Sequence, residues 1–211
     1  TVDWTNRWGK YKYVDDIEVR EDGGTPGFLQ SIRAALAFEL KDQMNTTKIK
    51  QREKELIELA FSGLDEIPGL KILADNVRDR LGVISFYITG IHYNLLVQLL
   101  NDKYGIQTRG GCACAGTYGH FLLEVTYEQS KEVTDKINHG DLSDKPGWVR
   151  WSLHPTMTNE EVSLMITALK DIVENIKNYE KEYVYDNHKN IFWHSKDVSD
   201  AALIKKWFML D

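Results

Sequence analysis

Two cysteines in 211 residues are too few for a disulfide framework. Both sit in one stretch, RGGCACAG at residues 109–116, and a bridge across a single intervening residue would be strained. The chain therefore reads as one meant for a reducing, cytoplasmic setting. Excess positive charge is also missing: Lys and Arg total 26 against 32 Asp and Glu, a net charge of −6. Nothing in that balance attracts nucleic acid or an anionic membrane surface. No apolar run approaches the ~18–20 residues that span a bilayer, and the opening TVDWTNRWGKYKYV is no signal peptide. Internal repeats and low-complexity segments are absent too.

What remains is a globular composition, 42% hydrophobic and 27% charged, enough for one large domain or one domain plus a piece of another. Aromatic and β-branched residues on both sides of a turn near Arg7–Gly9 predict a hairpin at the start. The segment EDGGTPG at 21–27 is a turn. Phe28, Ile32, Leu36 and Leu40 then repeat at helical spacing. A second helix is predicted over 48–64, charged first and apolar later. Beyond it the elements alternate. Strands are expected at 70–73, 82–89, 106–109 and 148–153, and helices at 92–103 and after Thr158. Thr158 and Glu161 form a T-x-x-E capping box, and Gly105 stops the earlier helix. This pattern is α+β, a small antiparallel or mixed sheet covered by helices. The tail beyond Tyr185 carries no clear element signal.

Four segments bear on chemistry. The paired cysteines lack the ligand count and spacing of a zinc site, which leaves small structural residues or an accessible thiol beside Arg109. EDGGTPG is a glycine-rich turn ahead of a helix, so backbone N–H groups and the Thr25 hydroxyl can face an anion. Arg150 lies between two tryptophans in PGWVRWSLHP, placed either to stack on a ring or to clamp a carboxylate. Lys189 sits in a polar tail and is expected to be solvated rather than a Schiff-base lysine.

In order, REDGGTPG (20–27), TRGGCACAG (108–116) and WVRWSLHPTMTNEEV (148–162) resemble the C-terminal part of class V aminotransferases. These are fold-type I pyridoxal 5′-phosphate (PLP) enzymes that include cysteine desulfurases and selenocysteine lyases. The resemblance covers about residues 1–180. It implies that Gly24 and Thr25 bind the PLP phosphate of the neighbouring subunit in a homodimer. The family pattern R-x-G-x-x-C falls on Arg109, Gly111 and Cys114, which makes Cys114 the candidate nucleophile and Arg109 a substrate-binding neighbour. Arg150 is implied to bind the carboxylate of an amino-acid substrate. Two departures stand out. Residues 121–145 lengthen the segment between Cys114 and Arg150, and the residues before Thr25 contain no segment like the family's S-x-H-K.

The expected organisation follows. Residues 1–45 are an edge of the large PLP-binding domain, 46–64 a connecting helix, and 65–211 the C-terminal small domain. On this reading the chain by itself lacks the Schiff-base lysine and is inactive. Two alternatives stand beside desulfurase chemistry: an aminotransferase or other PLP lyase that makes no use of cysteine, and a non-catalytic α+β binding module.

Overall fold

The structure, a computed structural model, describes residues 1–112, 115–196 and Trp207. Contacts divide it into two units, residues 1–49 and residues 50–211.

The first unit opens with an antiparallel pair, β1 (Val2–Thr5) and β2 (Tyr11–Tyr13). Its turn closes because Asn6 Oδ1 accepts from the N–H groups of Trp8 and Lys10, both at 3.1 Å, and Gly9 takes a left-handed φ of +78°. Asp16 caps the short α1 (Ile17–Glu21), accepting from the N–H groups of Glu18 and Val19. The EDGGTPG turn leads into α2 (Phe28–Met44), which buries none of its side chains. Asn45 then takes φ +66° and caps α3 (Thr46–Leu64) through the N–H groups of Thr47 and Lys48.

In the second unit the later half of α3 buries Leu56, Ile57, Ala60, Phe61 and Leu64, one stripe at helical spacing. The elements that follow are β3 (Leu70–Ile72), β4 (Val83–Ile88), α4 (Tyr93–Tyr104), β5 (Arg109–Gly111), α5 (Gly116–Leu122), α6 (Tyr127–Asn138), β6 (Trp148–Ser152) and α7 (Asn159–Tyr179). The four strands form one antiparallel sheet in the order β3-β4-β6-β5. Ile84, Phe86 and Ile88 of β4 and Val149 and Trp151 of β6 share a core with Leu96, Leu99 and Leu100 of α4. Val162, Met165, Leu169 and Ile172 of α7 complete it. Three of the four strands and the two covering helices are thus where the sequence put them. The Thr158–Glu161 capping box forms with both of its hydrogen bonds, at 3.2 and 2.7 Å.

Two expectations change. The strand predicted over 106–109 lies instead at Arg109–Gly111. Gly105 takes the left-handed conformation at the end of α4 and Ile106 N–H turns back to the Leu100 carbonyl, 3.0 Å. Ile106 is taken up in that helix closure, and pairing with β6 begins only at Arg109. The unassigned tail forms an antiparallel hairpin, β7 (Tyr183–Asp186) and β8 (Ile191–His194).

His92 caps α4, its Nδ1 accepting from the Asn94 N–H at 3.1 Å. Its ring stacks on Tyr93 at 4.5 Å and lies 5.1 and 5.3 Å from the rings of Phe192 and Tyr185. Burial lowers its pKa below the ordinary 6.5. The folded state holds the neutral ring, so stability is fully present above pH 6.5 and falls as acid protonates the unfolded chain preferentially. His92→Asn keeps the cap and removes the titration. Urea melts of this variant are expected to lose less stability than the parent between pH 7 and pH 5.

Candidate functional site

Strand register decides which side chains meet. β6 alternates, so Val149 and Trp151 face the helices while Trp148, Arg150 and Ser152 point to the opposite face. Arg150 is directly opposite Ser85 of β4 on one side and Arg109 of β5 on the other. A row Ser85–Arg150–Arg109 therefore crosses the sheet on the face away from the helical core. Two guanidinium groups at directly paired positions repel one another. Among the described residues neither forms an ion pair, and no ring takes Arg150 as a cation–π partner. Arg150 Nε is buried with no hydrogen-bond partner, as is the hydroxyl of Thr108 beside Arg109. Two adjacent guanidinium groups with no carboxylate partner among the described residues leave positive charge that a carboxylate or other small anion can offset.

β5 runs straight from Arg109 into the cysteine loop. Gly111 has φ +105°, a conformation that side-chain-bearing residues rarely adopt, and it turns the chain at Cys112. Cys112 is a half-buried free thiol whose carbonyl accepts from the Ala115 N–H at 2.9 Å. It lines a cavity of about 150 Å³ with His120, Ser130, Thr134, Lys145 and Pro146. The predicted nucleophile, Cys114, lies outside the described residues. The 121–145 segment contributes the end of α5 and all of α6 to this region. Trp148 is buried beneath α5, close enough that a Cβ at Gly119 would lie 3.0 Å from its ring. Sequence reasoning missed α6, although Thr126 and Gln129 form a readable T-x-x-Q capping box.

Gly24 and Thr25 belong to the first unit. Gly24 takes φ +85° and Thr25 is exposed two residues before the Gly27 N-cap of α2. No side chain caps this helix and its first turn holds no acidic residue. Uncapped N–H groups, a hydroxyl and the positive end of the helix dipole fit the phosphate end of PLP. The aldehyde end has no counterpart before the turn. Lys12 is paired with Asp3 and Asp15, and those hydrogen bonds raise its pKa. A Schiff-base amine needs the reverse shift. Lys10 is exposed in the hairpin turn. Lys189, also exposed, approaches Asp186 at 3.9 Å, as expected of a solvated lysine.

Comparison with known proteins gives the chain its relatives. A probable cysteine desulfurase of Pyrococcus abyssi is 27% identical over 167 residues, covering 79% of this chain and 36% of that protein. A cysteine desulfurase of Escherichia coli is 30% identical over 153 residues, covering 72% and 32%. The chain thus spans about a third of the length of the curated relatives it matches. In fold it is similar to the apo cysteine desulfurase of Thermococcus onnurineus, with a TM-score of 0.58 at 24% identity, covering 83% of this chain and 38% of that one. Residues 5–165 match the family described as Aminotransferase class-V, and the chain belongs to that family.

Proposed function

We propose that the chain supplies the substrate-clamping part of a PLP-dependent cysteine desulfurase or selenocysteine lyase. The observation that carries this reading is the paired row of Arg109 and Arg150, with its unpartnered Nε, on a sheet whose edge strand leads into the cysteine loop. Names of relatives support the choice of substrate: those compared above are cysteine desulfurases.

Each residue then has a task. Arg150 takes the substrate carboxylate in a forked, charge-assisted pair, and Arg109 adds a second positive charge beside it. Thr25, with the turn around Gly24, holds the cofactor phosphate of the neighbouring subunit in a homodimer. PLP, when bound through a lysine supplied from outside these residues, acts as an electron sink. Cys114 attacks the substrate sulfur as a thiolate. A sulfur–sulfur bond forms, the carbon–sulfur bond breaks with its electron pair left on carbon, and a proton completes alanine. The protein keeps the sulfur as a persulfide. Such a thiol has to stay reduced between turnovers, which suits the cytoplasm. Without the lysine the 211 residues alone are inactive.

A second reading, amino transfer without cysteine chemistry, draws on α5 and α6, which wall the cavity at Cys112. The deciding experiment is the absorbance spectrum of the full-length protein with PLP, followed by L-cysteine. With a dithiol reductant such as dithiothreitol present to discharge the persulfide, sulfide and alanine in equal amounts are expected. A cofactor-loaded protein that only exchanges amino groups with a keto acid establishes the second reading, and a protein that takes up no PLP removes both.

The turn gives its own prediction. Thr25→Val removes one hydroxyl hydrogen bond to a charged group, worth about 1.5–3 kcal/mol. PLP affinity measured by equilibrium dialysis is expected to fall roughly 10- to 150-fold by that energy. Unchanged affinity removes the turn from the site.

A further inference from the structure

Asn190 closes the turn of the C-terminal hairpin with a left-handed φ of +56°. It is the buried polar residue of the described chain, 8% exposed, and both Nδ2 and Oδ1 have a tyrosine hydroxyl as partner. Nδ2 donates to the Tyr93 hydroxyl at 2.7 Å, and Oδ1 accepts from the Tyr185 hydroxyl at 2.9 Å. Its backbone carbonyl accepts from Asn94 Nδ2. One residue of the hairpin thus grips both residues that open α4.

Tyr93 and Asn94 in turn set the strands of the arginine row. The Tyr93 ring lies against Gly147, where a Cβ would come within 2.5 Å of it, and against Gly110, where the corresponding distance is 3.3 Å. Asn94 Oδ1 would lie 2.7 Å from a Cβ at Gly110. Gly147 immediately precedes β6, and Gly110 sits in β5 between Arg109 and Gly111, paired with Val149. Both glycines give the ring a surface without side chains, so the height of these strands follows the position of the ring. The same turn also reaches the segment leading to Gly147: Leu142 N–H donates to the Asn187 carbonyl at 2.9 Å, and His188 Nδ1 meets the Gly140 carbonyl at 2.7 Å.

We propose that Asn190 is a positioning residue, which through Tyr93 and Asn94 holds the Arg109–Arg150 row and the start of the cysteine loop at the spacing that an amino-acid carboxylate needs. This rests on the carboxylate reading of the row. The hairpin therefore acts on substrate affinity from the side of the sheet opposite the arginines.

Asn190→Gly separates side chain from turn, because glycine keeps the left-handed φ and the backbone carbonyl. In the full-length PLP-loaded protein, N190G is expected to raise KM for the amino acid at least 10-fold while kcat changes less than 3-fold. Hydrogen exchange supplies a readout independent of activity. Amides of Gly110, Gly111 and Val149 should exchange at least 10-fold faster, with Leu96–Leu100 unchanged. Asn190→Asp, which can accept from the Tyr93 hydroxyl, should restore most of both. Should N190G fail to fold, Tyr93→Phe removes the hydroxyl alone and is expected to give the same pattern. Faster exchange confined to 183–194, with KM unchanged, overturns the proposal, as does a Y93F protein with parental exchange at 109–111. If the parent turns over no amino acid while the exchange pattern appears as described, the coupling stands and the carboxylate reading is what fails.

Discussion

Arg150→Leu in the full-length PLP-loaded protein is expected to raise KM for the amino-acid substrate roughly 30- to 1000-fold, with stability unchanged or slightly higher. A forked arginine–carboxylate pair contributes about 2–4 kcal/mol when its charge-assisted bonds are lost together, which converts to that range. Stability moves the other way for a reason visible in the register. Arg150 faces Arg109 directly across β5 and β6, and like charges in that position cost folding free energy. Its Nε is buried and unpartnered, which adds a desolvation penalty. Leucine removes both terms and suits a half-buried position on the same face as Trp148. Arg150→Lys keeps the charge but not the fork, and should recover only a small part of the affinity. The measurements are steady-state kinetics and a urea melt on the same preparations. A large loss of stability in Arg150→Leu, with KM following it, would mean that the arginine is a packing residue.

The opposition of the two arginines was not legible in the chain. Arg109 and Arg150 were each singled out from their own motifs. Their pairing depends on β6 inserting between β4 and β5, an order that does not follow the sequence. Local signals did better where local physics decides. The T-x-x-E box at Thr158 and the glycine stop at Gly105 formed as read, because a cap is settled by the residues within one turn. Apolar periodicity located α4 and α7 for the same reason. The hairpin at 183–194 was missed because its stability comes from elsewhere. Tyr185, Phe192 and Asn190 are held by His92, Tyr93 and Asn94, about a hundred residues away in the chain. A polar turn of Asn, His and Lys looks solvated until that partner surface is known. The 106–109 strand slipped toward its C-terminal end because the closure of α4 took its first residue.

Cys114→Ala in the full-length protein should abolish sulfide release from L-cysteine, a loss of at least ~1000-fold, because the group that receives the sulfur is gone. The clamp proposed at Arg109 and Arg150 is left intact, so the spectral change on adding amino acid should persist with a similar midpoint. Cys112→Ser tests the neighbouring thiol. Cys112 lies at the end of β5, half-buried beside His120 and Lys145 in a walled cavity. A delivering thiol must reach out to the substrate and withdraw, which such a position hinders. Cys112→Ser is therefore expected to keep at least half of the parental turnover. In the parent, iodoacetamide labelling followed by mass spectrometry should modify Cys114 before Cys112, and L-cysteine added first should give a Cys114 adduct heavier by one sulfur atom, the alkylated persulfide. Were the roles reversed, with Cys112→Ser inactive and Cys114→Ala active, the R-x-G-x-x-C correspondence would be displaced by two positions. Were both variants fully active in amino transfer and the parent silent in sulfide release, α5 and α6 would have enclosed this loop for a chemistry that leaves its cysteines unused.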